Sequence, residues 1–204
     1  WAFAGVLNPA MSQLHAFVSE YSARDQPWRY LFQTTDVIMG TLLCLAGLAT
    51  LVWARHRPLG RQGWSGVGFV AGGFFSVLDA LVTMDCSPTR SQACMAAEEA
   101  GHVSVNHIVH VGTSTIVVVG FALPILLLNS TMTRFRGFGL VVTWAWVVFT
   151  LLNGIGAVGW FVGTPMDYTG IWQRFSLGLG TLWWLILAAD DIVTARVQDR
   201  ARSC

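Results

Sequence analysis

The sequence predicts an all-α fold, a polytopic bundle of transmembrane helices. Three observations predict it. Of the 204 residues, 54% are hydrophobic and 11% charged, whereas a soluble domain carries roughly 25% charged residues, so too few charges remain to cover a water-facing surface. Five segments are apolar over about the 20 residues a helix needs to cross a bilayer. The arginines, finally, collect in alternate connections, as they do in multi-pass proteins.

The elements follow in chain order. Trp1 to Leu7 is apolar and reads as the tail of a helix. Met11, Leu14, His15 and Val18 stand at i, i+3, i+4 and i+7, which predicts an interfacial helix over Met11 to Ala23. The spans are expected at Leu31–Ala54, Trp64–Met84, Ser104–Leu128, Phe138–Val162 and Ile171–Val193. With the N-terminal remnant as a truncated first member, this makes about six helices in a single transmembrane domain over residues 1–204. Gly68 and Gly72 form a small-xxx-small pair that lets helices approach closely, and Gly154, Gly156 and Gly159 are expected to do likewise.

Arginine placement predicts orientation. Arg55, Arg57, Arg61, Arg134, Arg136, Arg196, Arg200 and Arg202 fall on one side of alternating helices, and Arg24, Arg29, Arg90 and Arg174 on the other. The first side should be cytoplasmic, with both termini. Trp53 and Trp64 flank one boundary and Trp28, Trp160 and Trp172 the other, as in paired aromatic belts. Cys86 and Cys94 share a loop assigned to the outside, where disulfides persist; the loop-entropy model gives a bridge there about 2.5 kcal/mol. Cys44 lies inside a span and reads as packing. Cys204 lies in the tail.

Several functions are excluded. A net charge of +1 supplies no field for nucleic acid, and no arginine-rich stretch interleaves with aromatics. All twelve basic residues are Arg, so no mechanism can use an active-site lysine. No P-loop, dinucleotide fingerprint or GxSxG motif is present.

Ionisable residues inside spans are costly and default to a functional reading. Here they gather at one face: Asp36, Asp79, Asp85, His102, His107 and His110, with Asn153 deeper and Asp167 in the last loop of that side. At 100° per residue, His102, Asn106, His110 and Thr113 fall within roughly 80° of one another, with His107 about 60° beyond. Ser76, Asp79 and Thr83 form a second stripe. His107 and His110 at i,i+3 can converge on one metal; zinc would need a third ligand, with Asp79, Asp85, His102 and Asp36 as candidates. Zinc-bound water could then attack an ester or amide. The catalytic candidates are Asp79, Asp85, Ser19 and Glu20. The opposing reading has these histidines and aspartates pair only with one another and fix helix packing. Glu98 and Glu99 read as solvated charges that suit the N-terminal dipole of the following helix.

Asn8-Pro9, the run from Val18 to Ala23, Leu31-Phe32, and Asp36 followed by Gly40 resemble the bacterial and archaeal membrane family called domain of unknown function 998. The resemblance implies a six-helix layout in the cell membrane, an Asp at the end of the third helix (Asp79 or Asp85) and a His near the start of the fourth (His107 or His110). It implies no activity. Tyr21 stands where the family pattern has Leu. The residue types are also similar to those of the alkaline ceramidase and adiponectin-receptor zinc hydrolases, although no HxxxH pair stands in the last span.

Three functions are left open. One is a metal-dependent hydrolase acting on a lipid or hydrophobic amide or ester. Another is a non-catalytic binder or carrier of a lipid or hydrophobic small molecule. The third is a structural accessory subunit of a membrane complex.

Overall fold

A computed structural model of the chain describes residues 1–55, 60–161 and 168–203. Arg57, Val162, Asp167 and Cys204, and the side chains of Trp160, Arg200 and Arg202, lie outside the described residues. The elements are α1 (Ala4–Leu7), a 3-10 turn (Val18–Ser22), α2 (Arg29–Ala54), α3 (Arg61–Leu81), α4 (Gln92–Glu99), α5 (Val105–Leu128), α6 (Arg136–Phe161) and α7 (Thr169–Ser203). Among the described residues, α2, α3, α5, α6 and α7 are long and apolar enough to cross a membrane. The chain is a multi-pass helical membrane protein.

The spans stand close to where hydropathy puts them, and three departures have local causes. The segment Met11 to Phe17 is not a helix. Its carbonyls are taken by α7 instead: Arg174 donates to Gln13 at 2.8 Å and Ala16 at 2.8 Å, Ile171 N–H to Leu14 at 3.1 Å, and Thr169 Oγ1 to His15 at 3.0 Å. α3 stops at Leu81 rather than Met84. α7 runs to Ser203, ten residues past the expected end at Val193, because Ala, Arg and Gln there keep good helix propensity after the apolar stretch has finished.

Small residues set the helix crossings. α2 meets α3 where Gly40 faces Gly73; a Cβ on Gly40 would lie 2.7 Å from the Gly73 carbonyl oxygen. α3 meets α5 through Gly68, Gly72 and Gly120, and a Cβ on Gly120 would lie 2.5 Å from Gly72 N. Pro124 has no N–H for the Gly120 carbonyl, and that oxygen turns toward Gly68, 2.7 Å from where its Cβ would be. Gly154 does not take part in such packing: a Cβ there would meet nothing within 4 Å.

α6 and α7 form a hairpin that packs against one end of α5. There Ile125, Val142, Trp146, Trp183 and Ile186 are buried together. Asn129 ties the three helices, donating to Thr143 Oγ1 at 2.5 Å and accepting from Trp183 Nε1 at 3.1 Å. The Asp190 carboxylate of α7 accepts the N–H groups of Thr133, Arg134 and Phe135 at 2.9, 2.7 and 2.8 Å, satisfying donors at the start of α6. This is the arginine end of the bundle.

At the other end Cys86 is bonded to Cys94, with Cα atoms 6.0 Å apart. The bridge joins the loop after α3 to α4. Gly101, at φ +69°, ends α4: His102 N–H returns to the Ala97 carbonyl at 2.7 Å, a left-handed closure that favours glycine. Replacing both cysteines with serine should lower the unfolding free energy by about 2.5 kcal/mol, read as a fall in thermal midpoint in detergent. An unchanged midpoint would show that α4 is held by its other contacts alone.

Candidate functional site

The disulfide end is built around buried carboxylates. Glu20, on the 3-10 turn, is 0% exposed. Its Oε1 accepts Phe17 N–H at 2.8 Å; its Oε2 accepts the Ser87 hydroxyl, Thr89 N–H at 3.1 Å and Thr89 Oγ1 at 2.6 Å. Burial pushes its pKa above the ordinary value, and these donors pull against that shift. Glu20 therefore fastens the first loop to the disulfide loop. Its oxygens are spent on the fold.

Asp85 accepts Ser104 N–H at 2.6 Å and Ser104 Oγ at 2.7 Å, while Ser104 in turn caps α5. Partial burial opposes ionisation of Asp85, but the Ser104 bonds and the nearby Arg24 and His107 outweigh it and hold the carboxyl below its ordinary range. The backbone N–H of Asp85 donates to His107 Nδ1 at 3.3 Å. That bond fixes the His107 tautomer with its proton on Nε2, 3.8 Å from Glu98 Oε1.

His110 is held through its Nδ1 as a donor. Its Nδ1 lies 3.0 Å from the Asp79 carbonyl oxygen, 2.9 Å from that of Val82 and 3.3 Å from Asp79 Oδ1. All three are acceptors, so Nδ1 carries a proton. The ring is 2% exposed, and Nε2 has no hydrogen-bond partner. Asp79 also accepts Thr113 Oγ1 at 2.5 Å and Ser114 Oγ at 2.9 Å. The carbonyls that His110 holds are those at the end of α3.

His110 lines a cavity of about 270 Å³ between α5 and α6, roofed by the two loops of this end. Val111, Ser114 and Val118 form one wall, and Asn153, Gly154 and Ala157 the other. Phe17, Ser19, Pro88, Glu98 and Gln173 close it toward the loops. Asn153 Oδ1 is buried there without a partner. Val119, 59% exposed, stands at the flank, so the cavity opens sideways between the helices. A wider hollow at the arginine end, lined by Trp53, Phe69 and Asp191, has no buried unpartnered polar atom among the described residues.

The expected residues thus lie in different settings. His107 and His110 are buried side by side on α5, with Asp85 behind the first and Asp79 behind the second. His102 is not on the stripe. It precedes α5 and is exposed, as is Asn106, so the buried face is centred on His107, His110 and Thr113. Thr83 likewise lies past the end of α3. Asp36 is exposed near the start of α2. Ser19 reaches the cavity, whereas Glu20 is locked away from it. Among the described residues no three His, Cys, Asp and Glu side chains converge as a metal would require. Glu98 is not a solvated charge. α4 folds back over α5 and brings it to His107 and the cavity. The glycine at 101 was the available signal for that reversal. Gln173, whose Oε1 takes Val18 N–H at 2.5 Å, carried no signal.

A family model described as "Protein of unknown function (DUF998)" matches residues 1–190. No curated protein and no solved structure matches the chain.

Proposed function

The chain belongs to the DUF998 family of proteins of unknown function, and from that premise we propose that it is a binder or carrier of an amphiphilic molecule. The ligand enters sideways from the bilayer into the cleft between α5 and α6. The observation that carries this reading is a pair of buried, unpartnered polar atoms, His110 Nε2 and Asn153 Oδ1, in an otherwise mostly apolar cavity. Buried polar groups without partners are costly, and a ligand's polar group would satisfy them while its tail meets the valine walls. Gly154→Leu should fill the space without disturbing the fold, since its Cβ meets nothing within 4 Å. We expect it to weaken binding of copurified or added amphiphile at least about tenfold while leaving the thermal midpoint of the empty protein in place. Unchanged binding would remove the reading.

The arginine bias and the disulfide support an orientation with the disulfide end outside a bacterial or archaeal cell membrane and both termini in the cytoplasm. With Cys44 and Cys204 replaced by serine, Glu99→Cys should react with an impermeant thiol reagent in intact cells and Ser130→Cys should not. The reverse pattern would invert the topology and place the cleft in the inner leaflet.

A second reading is hydrolytic. His110, with Nδ1 anchored at Asp79 and Nε2 free, is oriented as a general base, and Ser19 lines the same cavity. Zinc at Nε2 would need further donors than the described residues bring together. Loss of ester turnover in His110→Gln, with amphiphile binding retained, would favour hydrolysis over simple binding. Stoichiometric zinc lost in the same variant would restore the metal.

A further inference from the structure

We infer that the cleft selects an amphiphile with an uncharged, hydroxyl-bearing head over one that carries an ammonium or a phosphate. The inference rests on the binding reading above and narrows it to a ligand class. Two observations carry it: the depth of the polar wall, and its mixture of donors and acceptors. At 1.5 Å per residue, His110 lies about 9 Å along α5 from its cap at Ser104, and Asn153 about 12 Å along α6 from its end at Phe161. A head held between them sits below the level where lipid headgroups meet water. A charge at that depth needs a counter-charge from the protein.

The wall has none to spare. Among the described residues no arginine lines the cleft. Arg174 turns Nη1 to the carbonyls of Gln13, Ala16 and Gly170, and Arg24 stands 3.4 Å from Asp85. Glu98 is the one carboxylate in the lining, and it is already engaged, facing His107 Nε2 at 3.8 Å. The remaining groups are neutral and mixed. Ser114 spends its hydroxyl hydrogen on Asp79 and Thr115 on the Val111 carbonyl, so both offer lone pairs. The Asn153 amide presents an unpartnered Oδ1 together with the N–H groups of Nδ2. Gln173 spends its Oε1 on Val18 N–H and keeps its amide nitrogen as a donor. The Ser19 hydroxyl gives or takes, and Thr150 shares one hydrogen with Ser176. An ammonium has donors only, and a phosphate brings acceptors and a negative charge, so each meets half of this wall with the wrong group. A hydroxyl both gives and takes. It can donate to Asn153 Oδ1 while its own lone pairs meet a donor, and it carries no charge to compensate.

The test uses the full chain in phosphatidylcholine nanodiscs at neutral pH. Tetradecanol, tetradecylamine and tetradecyl phosphate are titrated, with affinities expressed per mole fraction in the bilayer. Binding specific to the cleft is the part lost in Gly154→Leu. The alcohol should bind at least about tenfold more tightly than either charged amphiphile. Asn153→Leu, close in size, should weaken alcohol binding about fivefold without lowering the thermal midpoint of the empty protein, since it removes a buried polar atom that has no partner. Amine or phosphate binding as tightly as the alcohol would overturn the inference and leave the binding reading standing, as would alcohol affinity unchanged by Asn153→Leu. Failure of all three to bind the cleft would overturn both.

Discussion

Glu20→Ala should lower the unfolding free energy by roughly 3 kcal/mol, since a buried donor left unsatisfied costs about 1–3 kcal/mol. The substitution strands four donors at once, from Phe17, Ser87 and both groups of Thr89. It also unfastens the first loop from the disulfide loop, so the roof of the cavity should loosen. Glu20→Gln keeps one oxygen for Ser87 and Thr89 but sets an NH₂ against Phe17 N–H or the reverse, and should recover part of the loss. The pH dependence has a definite sign. Burial raises the carboxyl's folded pKa above 4.5, so its contribution is fully present below that ordinary value and falls away as pH rises through the folded value. Glu20→Gln should flatten that slope. Thermal midpoints of the three proteins across pH check both statements; a wild-type midpoint in Glu20→Ala would remove the fastening role.

Gly120→Val should be as damaging at the centre of the bundle. The new Cβ would lie 2.5 Å from Gly72 N and 2.6 Å from Gly72 Cα. Those atoms are backbone and cannot swing aside, so α3 and α5 must separate, at a cost of roughly 3 kcal/mol or more. Gly112→Val, on the same helix, is the control. Its Cβ would meet nothing within 4 Å, so it should leave the midpoint near wild type. Size-exclusion profiles and unfolding in detergent distinguish the two, and a well-folded Gly120→Val would mean that the crossing is less close than described.

Hydropathy made the spans legible because length and apolarity alone decide whether a helix can cross a bilayer. Gly68 and Gly72 were legible as a crossing because their spacing puts both on one helical face. The Cys86–Cys94 bond was legible because a short loop holds both thiols. Tertiary partners hid the rest. The interfacial periodicity from Met11 to Val18 was real as a pattern, but α7 offered its carbonyls better donors than their own helix did. The helix begins at Ser104 as expected, held by Asp85, and the stripe failed only in carrying the helical angle back to His102, which precedes it. The cavity was invisible for a different reason. Val118, Val119 and Gly154 are residues of any lipid-facing helix surface, and only the placement of α6 across from α5 turns them into walls.

The partners of the first loop also set an order of events during synthesis. Gln13, Leu14, His15 and Ala16 stay without their final donors until Thr169, Ile171 and Arg174 have been made, some 155 residues later. Glu20 waits less long, for Ser87 and Thr89. The start of α6 waits for Asp190. Each earlier segment leaves the ribosome with backbone groups that a later one satisfies, so α2, α3 and α5 can assemble first through their glycine crossings while α6 brings the cleft's far wall and α7 completes its roof. A nascent chain arrested before α6 would hold His110 and its carbonyl partners in place, yet would present them in an open groove with no second side.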